Sequence, residues 1–301
     1  MKFDKIRIED KPLFDKLLSM SPYIDCEYLF STLFMWQDVL GYQRAIEDDC
    51  IFIRHSFNGR VQYHVPICAP ERIPERVKWL LSAENDKLEL FCVTKEHLEQ
   101  LGSELRECFT VEENRDYADY LYNGENLRLL TGKKYHQKRN HISKFQNNYH
   151  WDFKTFTVAG EELLACIEVL EHWDRNKLEN ASWQERLLVG NERNALDKCM
   201  KHFNQMGLIG GVLYIDGQPK GFTVGELATR GGIKVGIIHY EKCDGSYAGI
   251  YQAINQLFAK EALGEADYIN REDDMGVEGL RKSKLTYHPV RLVEKYTLKE
   301  I

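Results

Sequence analysis

Period-two alternation of hydrophobic and polar side chains dominates the first half of the chain. It predicts an antiparallel meander of three strands at residues 42–46, 50–57 and 61–66, with turns at 47–49 and 58–59. Three- and four-residue spacings predict short helices, whereas further alternation predicts additional strands. The predicted helices cover residues 10–18, 74–81 and 95–101, and the additional strands cover residues 88–93 and 116–122.

The second half repeats this order of elements. A strand, two amphipathic helices and a second three-stranded meander lead into a helix, a strand and a short helix. Their predicted ranges are 151–158, 161–177, 185–206, 208–215, 220–228, 232–241, 250–263, 267–270 and 279–284. The repetition indicates an internal duplication with a boundary near residue 130.

Composition and charge narrow the class of protein. With 301 residues, of which 43% are hydrophobic, the chain can form a full core. Its net charge of -7 excludes a nucleic-acid binder whose whole surface is basic. No run approaches about 18 consecutive apolar residues, so we expect a cytoplasmic protein without a membrane-spanning helix.

The cysteines do not follow a metal-site pattern. The chain has eight of them and no Cys-x-x-Cys pair, which argues against a zinc site and a disulfide framework. We expect reduced and mostly buried thiols.

Residues 127–145, LRLLTGKKYHQKRNHISKF, carry the densest positive charge in this acidic protein. Thr131 is a candidate N-cap for a helix, and Lys134 and Lys138 fall on one face with His141. This face is a candidate anion site. A solvated surface helix is the alternative, because most charge runs are exposed faces.

A second informative stretch joins a predicted strand to the helix at residues 250–263. Gly245, Ala248 and Gly249 lie in this turn, where free backbone N–H groups at a helix start can bind a phosphate. The alternative is a tight connection that needs glycine only for its conformation.

A third stretch follows the predicted strand at residues 267–270. Asp273 and Asp274 lie at the end of this strand, and a carboxylate there could take a proton from an amine substrate. A solvated acidic loop is the alternative. The short helix after them carries Arg281 and Lys282, and Tyr287 ends it.

Three segments resemble one known family. They are YLFSTLFMW at residues 28–36, GKKYHQKRNHISKF at 132–145 and NREDDMGVEGLRKSKLTYHPV at 270–290. Together they resemble the bacterial family named after the C-terminal transferase domain of phosphatidylglycerol lysyltransferase, across about residues 20–298. The resemblance implies an α+β fold of two tandem GNAT-like (acyl-CoA N-acyltransferase-like) domains, related to the Fem-type aminoacyltransferases. Each domain would be a mostly antiparallel mixed sheet flanked by helices.

The first half lacks a glycine-rich turn before a helix, which indicates that it has a supporting role. Residues 1–130 would form a supporting GNAT-like domain, and residues 131–301 would form the domain that binds the donor and carries out catalysis. The expected reaction moves an aminoacyl or acyl group to an amine or hydroxyl acceptor, on a small molecule or a lipid headgroup. Aminoacyl-tRNA or a coenzyme A thioester would act as co-substrate, with no tightly bound cofactor and no metal.

Site residues follow from the motifs and the resemblance together. A tyrosine at the position of Tyr287 often protonates the leaving group in GNAT enzymes, although a buried structural hydroxyl is equally compatible. The expected catalytic residues are Tyr287, Asp273, Asp274 and Glu241, with His239 and His141 as alternatives. The expected residues for the donor's phosphates are Lys134, Lys138, Arg139, Gly245, Ala248, Gly249, Arg281 and Lys282.

Two other functions remain open at this point. One is a coenzyme A-dependent N-acyltransferase acting on a small metabolite. The other is a non-catalytic binding module on the same fold. The sequence carries no GxSxG, GxxxxGK[ST] or HExxH motif, so a serine hydrolase, a P-loop enzyme and a zinc protease have no support.

Overall fold

The structure is a computed structural model that describes residues 1–57, 59–84, 86–179 and 181–301. Helices flank two mixed β-sheets. The helices are α1 (Lys11–Ser19), α2 (Phe30–Leu40), α3 (Ile73–Ala83), α4 (Lys95–Arg106), α5 (Gly124–Leu129), α6 (His136–Asn148), α7 (Glu161–Leu178), α8 (Trp183–Lys201), α9 (Phe203–Met206), α10 (Ile250–Glu261) and α11 (Glu278–Leu285). The strands are β1 (Gln43–Glu47), β2 (Cys50–Phe57), β3 (Arg60–Tyr63), β4 (Glu89–Thr94), β5 (Phe109–Glu113), β6 (Asp119–Asn123), β7 (Trp151–Phe156), β8 (Ile209–Ile215), β9 (Gln218–Arg230), β10 (Ile233–Cys243), β11 (Tyr268–Asn270), β12 (Arg291–Val293) and β13 (Lys295–Glu300).

The two sheets share one pattern of pairing. The first has the order β1-β2-β3-β4-β13-β5, and the second has the order β12-β6-β11-β10-β9-β8-β7. In the first sheet, only the pair β3 and β4 is parallel. In the second sheet, only the pair β10 and β11 is parallel. The shared pattern supports the internal duplication expected from the sequence.

Each half of the chain lends a strand to the other sheet. Strand β6 precedes residue 130 but pairs between β11 and β12 in the second sheet. Strand β13 ends the chain but pairs between β4 and β5 in the first sheet. The sheets therefore do not separate at the expected boundary of residues 130 and 131, and the division into 1–130 and 131–301 stays a prediction.

Helix α10 shows how a local pattern builds the second core. Its buried side chains follow the three- and four-residue spacing of a helix that rests one face on a sheet. Among them are Ile250, Ala253, Ile254, Leu257 and Phe258. They join a cluster that also holds Ile142 and Phe145 of α6, so the basic helix is anchored by its apolar face.

The expected fold class, α+β with two mixed sheets flanked by helices, is confirmed. Several local expectations were wrong. Strand β5 and helix α5 were not expected, and the helix expected over 185–206 divides at His202. Thr131 does not cap the basic helix, because Gly132 takes a φ of 87° and a 3₁₀ turn precedes the start of α6 at His136. Asn58 of the expected turn at 58–59 lies outside the described residues.

Candidate functional site

The second sheet opens where its parallel strands separate. Strands β10 and β11 pair only from Val235 to Ile237, against Tyr268 to Asn270. Strand β11 then ends, whereas β10 continues to Cys243 after an irregularity in pairing between Ile238 and Tyr240. Side chains just beyond this parallel pairing therefore face a gap in the sheet.

Glu241 and Arg271 meet in that gap. Arg271 Nη2 lies 3.5 Å from Glu241 Oε1, and Asn255 Nδ2 of α10 donates to Glu241 Oε2 at 2.9 Å. Only 11% of the Arg271 side chain and 12% of the Glu241 side chain are exposed. We call the site formed by Glu241, Asn255, Arg271, Tyr287 and Lys138 the β10/β11 cleft.

Two polar atoms of the cleft have no hydrogen-bond partner among the described residues. Arg271 Nη1 and Asn255 Oδ1 are buried, and no described residue hydrogen-bonds to either atom. Buried polar groups in native proteins are nearly always hydrogen-bonded, so this pair offers unused hydrogen-bonding capacity to a polar ligand. The ligand would offer an acceptor to the guanidinium and a donor to the amide oxygen.

Tyr287 and Lys138 complete the cleft. The Tyr287 ring is 3% exposed, with Arg271 Cζ 4.9 Å and Lys138 Nζ 3.8 Å from its centroid. Tyr135 Oη donates to the Tyr287 carbonyl at 3.1 Å and fixes the backbone there. Burial raises the pKa of Tyr287. The structure thus brings together three expected site residues, Tyr287, Glu241 and Lys138.

Lys138 differs from the other lysines of the basic segment. Its side chain is half-buried, whereas theirs are exposed; like theirs, its ammonium has no carboxylate within ion-pair distance among the described residues. Burial and then the charge of Arg271 lower the pKa of Lys138 to about 8, although Glu241 opposes this shift. An amine with this pKa can exchange a proton near neutral pH.

His239 lies outside the cleft. Its Nε2 is 3.0 Å from Glu226 Oε1, and its Nδ1 is 2.7 Å from Glu272 Oε1. Burial alone would lower the pKa of His239, but these two carboxylates raise it to about 9. The imidazole is therefore held as a cation, which favours a structural role over that of a general base.

The carboxylate of Asp274 hydrogen-bonds to residues outside the cleft. Arg281 Nε and Nη2 donate to its two oxygens at 2.9 and 2.8 Å, and Tyr120 Oη donates at 2.5 Å. Burial alone would raise the pKa of Asp274, but the hydrogen bonds from Arg281 and Tyr120 lower it. Its expected role as a base stays a prediction, and these contacts favour a structural one.

Asp273 faces another set of charges. Burial raises the pKa of Asp273 to about 6, and the charges that act on it include Lys295 and Asp119. Met275 N donates to Asp273 Oδ1 at 3.0 Å. Among the described residues, no side chain of the cleft hydrogen-bonds to Asp273.

The turn before α10 packs tightly against α6. Gly249 has a φ of 88°, and a Cβ there would lie 2.4 Å from the carbonyl oxygen of His141. Ala248 N donates to Tyr149 Oη at 3.2 Å, and Ser246 N donates to Asp244 Oδ1 at 3.0 Å. Gly245 is exposed with open space around it. Helix packing explains Gly249, and Tyr149 Oη already accepts a hydrogen bond from the N–H of Ala248, one of the three residues of this turn expected to bind phosphate.

The other expected phosphate ligands divide into free and engaged side chains. Arg139 Nη1 donates to the carbonyl oxygens of Leu130 and Gly132 at 2.5 and 2.8 Å, so it caps the end of α5. Arg281 Nη2 also donates to Asp116 Oδ1 at 2.7 Å, which leaves its charge neutralised. Lys134 and Lys282 are exposed, and neither forms an ion pair in the part of the chain that the structure describes.

Sequence reasoning did not select Arg271 and Asn255. Arg271 directly follows β11, at the strand end that drew attention to Asp273 and Asp274, so its position was an available signal. Asn255 sits in the middle of α10 and is 1% exposed, and its spacing carries no signal beyond helix.

The repeated strand order and the separated parallel pair define a GNAT-like fold, and a charged cleft lies at the end of the parallel pair. The chain belongs to the family described as phosphatidylglycerol lysyltransferase, C-terminal, whose model matches residues 21–299. This confirms the resemblance seen in the sequence. No described helix has both the length and the apolar character needed to cross a membrane.

Solved structures agree on the fold. A protein of unknown function from Bacteroides thetaiotaomicron VPI-5482 is 30% identical, with a TM-score of 0.88 and 100% of both chains covered. L-PGS from Bacillus licheniformis is 14% identical with a TM-score of 0.69, covering 99% of this chain and 93% of that one. A C-terminal domain described as that of a lysylphosphatidylglycerol synthetase from Agrobacterium fabrum is 12% identical, with a TM-score of 0.68 and coverage of 97% and 92%.

A curated relative is also similar in sequence. An uncharacterized protein of Mycoplasmoides gallisepticum is 28% identical over 187 residues, or 61% of this chain. The match covers 56% of that protein, little more than half of its length.

Proposed function

We propose that this protein transfers an aminoacyl group from aminoacyl-tRNA to an amine or hydroxyl acceptor, using the β10/β11 cleft. The observation that carries the proposal is the meeting of Glu241 and Arg271 beside the unpartnered atoms Arg271 Nη1 and Asn255 Oδ1. The membership of a family described by a lysyltransferase supports the same class of reaction.

The cleft offers the groups that acyl transfer requires. Glu241 takes the proton of the attacking amine or hydroxyl, and Arg271 Nη1 stabilises the negative charge on the carbonyl oxygen. The bond between the carbonyl carbon and the leaving oxygen then breaks. Lys138 donates a proton to that oxygen, and its pKa of about 8 suits this step near neutral pH.

The unpartnered atoms fit an aminoacyl group. Such a group carries an ammonium two bonds from its carbonyl carbon, so one ligand supplies a donor to Asn255 Oδ1 and an acceptor to Arg271 Nη1. The nearby Glu241 carboxylate adds opposite charge for the ammonium. A simple acetyl group has no donor to offer.

The surface beside the cleft favours tRNA as the carrier. Lys133, Lys134 and Lys144 are exposed on or just before α6, and none pairs with a carboxylate among the described residues. They form a basic face in a chain of net charge -7. The engaged N–H groups of the turn before α10 give less support to the pyrophosphate of coenzyme A.

Two acceptor classes are expected, a lipid headgroup, which fits the family description, and a small molecule. The first test is transfer of labelled amino acid from bulk aminoacyl-tRNA to vesicles that contain phosphatidylglycerol. Glu241→Gln and Arg271→Lys should each lower the transfer rate by roughly 10²- to 10³-fold. Glu168→Gln, at an exposed position on α7, is the matched control and should keep the wild-type rate.

A binding experiment distinguishes aminoacyl-tRNA from coenzyme A as the donor. Aminoacyl-tRNA and acetyl coenzyme A are titrated at two salt concentrations, with Lys133→Ala/Lys134→Ala and the control Lys16→Ala/Lys260→Ala. We expect tRNA binding that weakens steeply with salt and is lost mainly in the first variant. Binding of acetyl coenzyme A alone would support the small-molecule acyltransferase. Binding of tRNA without transfer to any acceptor would support a binding module.

A further inference from the structure

Cys50 and Cys68 lie opposite each other in the first half of the chain. Ile51 and Ile67 form an antiparallel bridge in which each N–H donates to the other's carbonyl oxygen at 2.9 Å. In that register, Cys50 and Cys68 are the next facing pair. It is a non-hydrogen-bonded pair, whose Cα atoms typically lie about 4.5 Å apart. This separation falls within the range that a disulfide spans.

The two thiols interact with each other. The interaction between the two thiols has the largest effect on the pKa of each. It lowers the pKa of Cys68 and raises that of Cys50. The charges of Arg72 and Arg76 favour the Cys68 thiolate further. Both arginines also hold Asp48, through its carbonyl oxygen at 2.6 Å and its carboxylate at 3.2 Å.

An exposed turn gives access to the pair. Cys50 directly follows Asp48 and Asp49, which are exposed and have φ values of 49° and 54°. Cys50 and Cys68 are themselves 0% and 1% exposed, so an oxidant reaches them when this turn opens locally.

We propose that Cys50 and Cys68 form a reversible disulfide when the protein meets a peroxide. Peroxide oxidises the Cys68 thiolate to a sulfenic acid, with one oxygen transferred and one water released. The Cys50 sulfur then attacks the Cys68 sulfur, an S–S bond forms, and the sulfenic oxygen leaves as a second water. Overall, two thiols are oxidised and one hydrogen peroxide is reduced to two waters.

The disulfide would tie the start of β2 to the segment that leads from β3 to α3. The crosslink closes a short loop and restricts the unfolded chain, so it should raise the melting temperature. A thiol reductant should reverse the change.

The test uses Cys108→Ser protein, because Cys108 is the exposed cysteine of the described chain and would otherwise react first. The folded protein is treated with hydrogen peroxide, unfolded, alkylated and digested without reductant. We expect a peptide joining Cys50 to Cys68, a loss of two titratable thiols and a higher melting temperature that dithiothreitol reverses. Adding Cys50→Ser or Cys68→Ser should abolish all three effects, whereas Cys166→Ser should leave them unchanged.

The peptide map needs no change at either cysteine of the pair, so it remains decisive if a serine variant does not fold. Recovery of both Cys50 and Cys68 as alkylated thiols after oxidation of the folded protein would overturn the proposal. A disulfide between either residue and a different cysteine would overturn it as well.

Discussion

Lys295 Nζ lies 2.5 Å from Asp119 Oδ1, and neither side chain is exposed. Asp119 is the first residue of β6, and Lys295 is the first residue of β13. These are the two strands that the halves of the chain exchange, so a buried ion pair marks the point where they pass each other. Glu27 also accepts a hydrogen bond from Lys295 and adds a second carboxylate to the pair.

Lys295→Met should destabilise the protein by about 3–5 kcal/mol, because it leaves Asp119 and Glu27 buried without their cation. Urea unfolding measures the loss. The control is Lys299→Met, at another lysine of β13. Lys299 forms a partly exposed ion pair with Glu112, so its loss should lower the free energy of unfolding by less than about 1 kcal/mol. Equal losses in the two variants would show that the exchange of strands does not depend on the buried pair.

Gly249→Ala should destabilise the protein by roughly 2–4 kcal/mol. The φ of 88° at this position disfavours any residue with a Cβ, and the added Cβ would lie only 2.4 Å from the carbonyl oxygen of His141. Gly245→Ala, four residues earlier in open space, should change stability by less than about 0.5 kcal/mol. Thermal and urea unfolding of both variants test the difference. If Gly249→Ala unfolds like wild type but loses donor binding, the turn serves the ligand and not helix packing.

The turn before α10 shows which structural features the local sequence can predict and which it cannot. Gly249 was correctly placed at a strand-to-helix turn, because conformation at such a turn is a local property. Its partner, the carbonyl of His141, lies more than a hundred residues away and leaves no mark on the neighbouring sequence. The phosphate-binding role was therefore an inference from the turn and the family resemblance, made without knowledge of what packs against the turn.

The same limit applies to the sheets. Period-two alternation predicted β2 at residues 50–57, as observed, because it reports which face of a strand is buried. Alternation does not report which strand lies beside it, so the exchange of β6 and β13 between the sheets could not be predicted from the sequence. In the cleft, Glu241 and Arg271 meet only because β10 and β11 lie side by side.

His239 should make stability depend on pH between about 6.5 and 9. Its folded pKa of about 9 exceeds the ordinary value of 6.5, so the folded state binds the proton more tightly than the unfolded state. The resulting stabilisation, roughly 3 kcal/mol, is fully present below pH 6.5 and is lost as the pH rises through 9.

Urea unfolding at several pH values checks this expectation. The difference in unfolding free energy between wild type and His239→Gln should shrink as the pH rises across that window. His150→Gln, at an exposed position, is the control and should show no such trend. A constant difference between wild type and His239→Gln would mean that His239 is not held as a cation.

Lys138 should titrate near pH 8 in the folded protein, because burial and the charge of Arg271 disfavour its ammonium form. Reductive methylation with ¹³C followed by NMR titration measures it directly. One dimethyl-lysine signal should titrate near pH 8 and disappear in Lys138→Arg, while the signal of exposed Lys134 should persist.

The sign of the linked stability effect is the opposite of that for His239. Between about pH 8 and 10.5, the folded state binds fewer protons at Lys138 than the unfolded state, so the unfolding free energy should rise with pH. Lys138→Met should lack this rise, and Lys134→Met should keep it. If no methylated lysine titrates below pH 10, Lys138 is not the acid matched to neutral pH that the proposed proton transfer requires, and its role in that step is contradicted.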